Sequence, residues 1–156
     1  MTTATTVAAW PLALLDTLAE AGVDAPALLQ EAGLQETALA DPGGRVPVTA
    51  MSRLWAAAER LSGDPAVGLR VGARAQPMHL RILGLLVQTA PTLDRVLDLV
   101  VRFQALISTS VTVTRVHRPG AVGLAIQARP GAPVHPCALD AFAAVHVRHL
   151  RRLAPA

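Results

Sequence analysis

The sequence contains no lysine and no tyrosine, and only one cysteine, two phenylalanines and two tryptophans among its 156 residues. A lone Cys137 rules out an internal disulfide framework and fits a reducing compartment, so a cytoplasmic location is expected. With so few aromatics there is no basic surface interleaved with stacking rings, the footprint of a single-strand nucleic-acid binder. Uncharged runs stop short of the roughly 18 residues a membrane span needs. The apolar start has no basic residue ahead of it, which argues against a secretory signal. Also missing are a paired-carboxylate motif, a Gly-x-Ser-x-Gly elbow, a P-loop and a dinucleotide fingerprint, so no enzyme class is indicated.

What is present is a hydrophobic fraction of 52% against a charged fraction of 16%, enough to bury a core and to exclude disorder for most of the chain. The charge is split. Met1 to Gly44 holds six acids and no base, whereas Arg45 onward holds fourteen arginines and five acids. A helix, glycine turn and second helix between Trp10 and Gly33 imitate a DNA-reading unit. Their segment is wholly acidic, however, and would repel phosphate, so packing is the better reading.

The most informative stretch is Arg45 to Pro77. Met51, Leu54, Trp55, Ala58 and Leu61 follow helical spacing on one face. Ser62-Gly63-Asp64-Pro65 then stops that helix and starts another, with Asp64 placed to accept from free amides of the next turn. In the second helix Gly68 and Gly72 stand one turn apart. Since each costs helix stability relative to alanine, close packing against another element is expected. Upstream, a ragged segment covers residues 1–9, helices follow at Trp10–Glu20 and Ala25–Ala32, the latter capped by Asp24, and Asp41–Gly44 forms a loop. Downstream, Met78–Thr89 is apolar nearly all round and reads as a buried central helix, with Gly84 at another close crossing. Thr92 caps an amphipathic helix to Ile107, on which Asp98 and Arg102 are spaced to pair. The period then changes to two: Ser110–Val116 and Val122–Gln127 flank Pro119-Gly120, a β-hairpin. A proline-rich loop leads to a last helix, Ala138–Leu153, with Leu139, Phe142, His146, Leu150 and Leu153 inward. The expected fold class is α+β, a mainly helical single domain with one hairpin followed by a C-terminal helix. A lone hairpin needs helices over it, a partner chain, or further strands.

Val46-Pro47, the Leu61-Ser62-Gly63-Asp64-Pro65 turn, Gly68-Leu69-Arg70-Val71-Gly72, Leu83-Gly84-Leu85-Leu86, Thr89-Ala90-Pro91-Thr92-Leu93 and Arg102-Phe103-Gln104 occur in this order at short spacing. That combination resembles the N-terminal effector-binding domain of AraC-type bacterial transcription regulators, over about Trp10 to Leu153. The resemblance implies a sensing and dimerising domain over 10–153 without catalysis, a small-molecule effector and a homodimer. It also implies a DNA-binding part of two helix-turn-helix units, which nothing after Leu153 supplies, so the effector domain itself is expected to be incomplete at that end. The alternative is a stand-alone interaction module with a filled core.

Candidates to line an effector pocket are Trp55, His79, Arg81 and Phe103, and Arg81 would suit an anionic ligand. Metal is conceivable at His146 and His149, three apart on one helix, with His135 and Cys137 upstream. His146 falls on the apolar face, however, and His149 beside the run Arg148, Arg151, Arg152, which reads as a solvated helix end. No metal, cofactor or direct DNA contact is therefore assigned. A cavity of several hundred cubic ångströms with a convergent arginine would favour sensing, and a filled interior with an exposed apolar patch would favour the interaction module.

Overall fold

The computed structural model describes residues 3–41 and 43–153, so expectations that fall on Met1, Thr2 and Pro42 lie outside it. Eight α-helices and two small antiparallel sheets make up these residues. The centre of the fold is α4, Val48–Ser62, with Met51, Leu54, Trp55 and Ala58 buried at the expected spacing. Leu61 departs from that face and is exposed, because it lies in the last turn of the helix, which ends at Ser62 and is capped by Gly63 in the left-handed conformation (φ 63°). Asp64 accepts from the Ala66 amide at 2.9 Å, which opens α5, Val67–Arg74.

On one side of α4 lie α1, Ala9–Ala19, and α2, Ala25–Ala32. The Asp24 side chain makes no capping bond to α2. The other end of α2 is held from outside: Arg53 of α4 donates through Nε and Nη2 to the Ala32 carbonyl at 3.1 and 2.8 Å. A five-residue helix, α3 (Glu36–Ala40), completes this side.

The chain start corrects the expectation of a ragged 1–9 segment. Thr5–Val7 forms β1, paired antiparallel with β2, Arg45–Pro47, in the register Thr6↔Val46. Thr6 also bridges to Ser108, and Arg45 donates to Thr5 and to the Leu106 carbonyl. Short runs of β-branched residues are strand formers, but here the partner lies 40 residues away.

The segment after α5 also differs from its expected form. Pro77–Leu80 is a 3-10 turn, Arg81 takes a positive φ of 55°, and only then does α6, Arg81–Thr89, run. Leu80, Leu83 and Val87 are buried, but Met78, Ile82 and Leu85 are 71%, 50% and 55% exposed. The helix is therefore apolar on both faces yet covered on one. The close crossing at Gly84 is real but local, since a Cβ there would stand 2.0 Å from the Pro77 carbonyl oxygen.

Thr92 caps α7, Leu93–Phe103, by accepting from the Arg95 amide at 3.2 Å. Asp98 does not pair with Arg102. It binds Arg115 at 2.9 Å, and Asp94 binds the same guanidinium, so two carboxylates on α7 hold the hairpin. The hairpin is β3, Val111–Arg118, and β4, Ala121–Ala128, turning at Gly120 (φ 72°). Val113, Leu124 and Ile126 join the core, so helices cover this ribbon.

The last helix, α8, is Pro136–Leu153. Its buried face is Cys137, Ala141, Phe142, Val145, His146 and His149, whereas Leu139 and Leu150 are half-buried and Leu153 is exposed. The face is turned from its expected direction because α5 offers glycines rather than side chains. A Cβ on Gly68 would lie 2.2 Å from the Cys137 carbonyl oxygen, and one on Gly72 would lie 2.3 Å from that of Ala141. Both are contacts no real Cβ sustains.

Candidate functional site

Two cavities flank the α5–α8 contact. The first is an apolar crevice lined by Trp10 of α1, Met51 and Trp55 of α4, Val111 of β3, Val134 of the loop before α8 and Phe142 of α8, with Ser52, Ser108 and Ser110 supplying hydroxyls. Its volume is about 50 Å³, well below the several hundred cubic ångströms of a typical ligand site. Phe142 fills its wall, with its ring 6.5 Å from Trp10 and 4.4 Å from the His146 imidazole.

The second is a polar pocket of about 370 Å³ between α1, the end of α5 and α8. Asp16 on α1 and Glu20 just past its end, four residues apart, form one wall. Arg74, Gln76, His79 and Arg148 form the other. Arg74 pairs with Glu20 across the rim. Arg148 donates through Nη1 to the Ala73 and Ala75 carbonyls, which end α5, so its guanidinium is fixed in place and keeps other N–H groups free of those bonds. The His79 Nδ1 accepts from the Gln76 amide at 2.9 Å, leaving the proton on Nε2. Burial lowers the His79 pKa below its ordinary value and nearby Asp16 partly opposes this, so the ring is a neutral donor at pH 7. Two carboxylates, two guanidinium groups and a neutral imidazole make a wall set with both signs.

The four expected pocket residues are not brought together. Trp55 lines the apolar crevice and His79 the polar pocket. Arg81 is exposed at the joint between the 3-10 turn and α6 and borders neither cavity. Phe103 is half-buried at the end of α7, with the Arg102 guanidinium 5.3 Å from its ring centre. Asp16, Glu20, Arg74 and Arg148 were absent from the sequence-based set. Asp16 and Glu20 share a helix face, which was a usable signal, but their meeting with residue 148 depends on the tertiary fold.

Two of the histidines weighed for metal, His146 and His149, are occupied otherwise. His146 and His149 each use Nδ1 on the carbonyl four residues earlier, Phe142 at 2.7 Å and Val145 at 2.8 Å. His149, expected beside a solvated arginine run, is buried.

The fold and cavities define a small helical α+β domain with a charged pocket set against its longest helix, a binding domain in form. Residues 22–156 match the arabinose-binding domain of AraC transcription regulators, N-terminal, and the chain belongs to that family. It is also 33% identical over 95 residues to the ornithine utilization regulator of Pseudomonas aeruginosa, an alignment covering 61% of this chain and 28% of that regulator. The family is one of regulatory, effector-sensing domains in transcription control rather than of enzymes. No helix among the described residues is long and apolar enough to cross a membrane.

Proposed function

We propose that this chain is the sensing and dimerising half of an AraC-type regulator and that its effector is a small zwitterion taken up in the polar pocket. The observation that carries the reading is the pocket of about 370 Å³ with Asp16 facing Arg148 and His79 between α1 and α8. An ammonium group is matched by the α1 carboxylates and a carboxylate by the Arg148 guanidinium. The balance of signs suits a zwitterion better than the purely anionic ligand that Arg81 alone suggested. A relative that regulates ornithine utilization makes amino and diamino acids the first compounds to try. Occupancy would be passed through α5 and α8 to a DNA-binding domain outside these residues, acting in the cytoplasm where the DNA is.

At a concentration 100 times its Kd an effector stabilises its domain by about 2.7 kcal/mol, which raises Tm by about 5–10 °C for a chain of this size. A thermal-shift panel of amino acids, diamines and short carboxylates is expected to give such a rise for an amino or diamino acid. Asp16 is exposed, so Asp16→Asn leaves the fold intact and should weaken that compound about tenfold or more. A flat Tm across the panel sinks the reading.

Dimerisation is supported by the exposed row Met78, Ile82 and Leu85. Sedimentation should find a dimer that Ile82→Glu dissociates, with an unchanged circular dichroism spectrum. A wild-type monomer would instead favour an interaction module that recruits a different partner through the same row.

A further inference from the structure

The proline-rich loop between β4 and α8 runs back along α4. Ser52 donates to the Pro133 carbonyl, and two turns further along α4 Glu59 meets His135, with Nε2 and Oε2 3.5 Å apart. Cys137, the second residue of α8, is buried beside them under Gly68. One donor atom each from Glu59, His135 and Cys137 lie within 4.8 Å of one another.

From this convergence we infer that Glu59, His135 and Cys137 form a binding site for a borderline-soft divalent cation of the zinc class. Thiolate, imidazole and carboxylate together are a ligand set for such ions, whereas magnesium and calcium prefer oxygen alone. Donors bound to one tetrahedral zinc stand about 3.5 Å apart, given bond lengths of roughly 2.0–2.3 Å. The group is therefore open by about an ångström. Glu59 can close it, since its side chain is 39% exposed and, among the described residues, its carboxylate pairs with His135 alone. Three protein ligands leave a fourth position on the solvent side, the arrangement of an exchangeable site rather than a sealed structural one.

The metal takes Cys137 as its thiolate, so the buried thiol gives up a proton on binding. The His135 Nδ1 accepts from the Cys137 amide at 3.3 Å, which places the ring proton on Nε2. Binding forms metal–sulfur, metal–Nε2 and metal–carboxylate bonds. The thiol proton leaves to solvent, the ring proton moves from Nε2 to Nδ1, and the long amide contact is given up. One proton is released per ion. Val134 and Ala138, which flank these ligands, both line the apolar crevice, so a bound ion would clamp the loop over that crevice. The inference is independent of the effector pocket, with which it shares no residue.

The test is a Co²⁺ titration of the fully reduced chain, read by absorption, followed by displacement with Zn²⁺. Expected are d–d bands with a thiolate-to-cobalt charge-transfer band saturating at one equivalent, their loss on adding Zn²⁺, and one proton released per ion in weak buffer. Cys137→Ser should abolish the charge-transfer band. Glu59→Gln and His135→Ala, both at partly exposed positions, should each weaken binding about tenfold or more while leaving circular dichroism unchanged. Two results overturn the site: no thiolate band at excess Co²⁺, or wild-type affinity in the Glu59→Gln/His135→Ala double variant, which would mean capture by the thiol alone.

Discussion

Gly72→Ala is expected to lower Tm by about 4–8 °C, although alanine is the better helix former. Gly72 sits in α5 where α8 passes closest. The added methyl would lie 2.3 Å from the Ala141 carbonyl oxygen and 2.7 Å from the Ala144 Cβ. The first of these is backbone in the middle of an 18-residue helix and cannot rotate aside. Room can be made only by moving α8 outward, which opens the packing of Phe142 and Val145. Overpacking of this kind costs about 1–3 kcal/mol or more. The gain from helix propensity, about 1 kcal/mol, offsets part of it. With a cost at the upper end of that range, a net loss of about 2 kcal/mol follows, and adding Gly68→Ala, whose methyl would meet the Cys137 carbonyl at 2.2 Å, should abolish cooperative folding. The neighbouring exposed Ala73 provides the control. There Ala73→Gly should also destabilise, by about 1 kcal/mol, so the preferred residue reverses between adjacent positions of one helix. Thermal melts of the three variants decide it, and a Gly72→Ala chain as stable as wild type would show that α8 does not approach α5 this closely.

That contact was half legible in the sequence. Two glycines one turn apart in a helix announce that something comes close, because nothing else about them favours a helix. What comes close, and at what angle, depends on residues more than 60 positions later, and α8 turned its Ala141 rather than its Leu139 inward as a result. The same division runs through the molecule. The turn at Gly63-Asp64, the Thr92 cap and the hairpin at Gly120 are local and were readable from residue types. The β1–β2 pair was not, since Thr5–Val7 is too short to show alternation and its partner strand is equally short. Asp98 had a helical neighbour at the right spacing and a better partner in Arg115, which reaches two carboxylates at once. Over the 3-10 turn and α6 the periodicity failed for a different reason: Met78, Ile82 and Leu85 are exposed while Leu80, Leu83 and Val87 are buried, so composition alone could not tell burial from an uncovered surface. The polar pocket was least legible of all. Its charged residues come from positions 16 to 148, and Arg148 looked like an ordinary solvated helix end.

The α8 contact also sets the acid response, because it buries a histidine with no charge partner. His146 donates its Nδ1 proton to the Phe142 carbonyl and packs tilted against the Phe142 ring, while Nε2 is buried without a partner among the described residues. A proton arriving at Nε2 would bring a charge into the core. Desolvation therefore pushes the His146 pKa down to about 4 from 6.5 in the unfolded chain, with the Phe142 carbonyl opposing and His149 adding slightly. The unfolded state takes up this proton first as pH falls, so the stability is fully present above pH 6.5 and declines from there until the folded value near 4 is passed. Between pH 7.5 and 5 the loss from this one group is about 2 kcal/mol. His149 and His79, whose pKa values are also lowered by burial, act in the same direction. Urea denaturation should thus give a midpoint that falls steeply over a range in which few carboxylates titrate. His146→Leu replaces the imidazole with an apolar side chain of similar volume. It should leave stability at pH 7.5 unchanged or raised and remove about one proton from the slope below pH 6.5. An unchanged slope in His146→Leu would mean that the ring is protonated in the folded chain, and with it that the interior between α5 and α8 is wetter than its packing indicates.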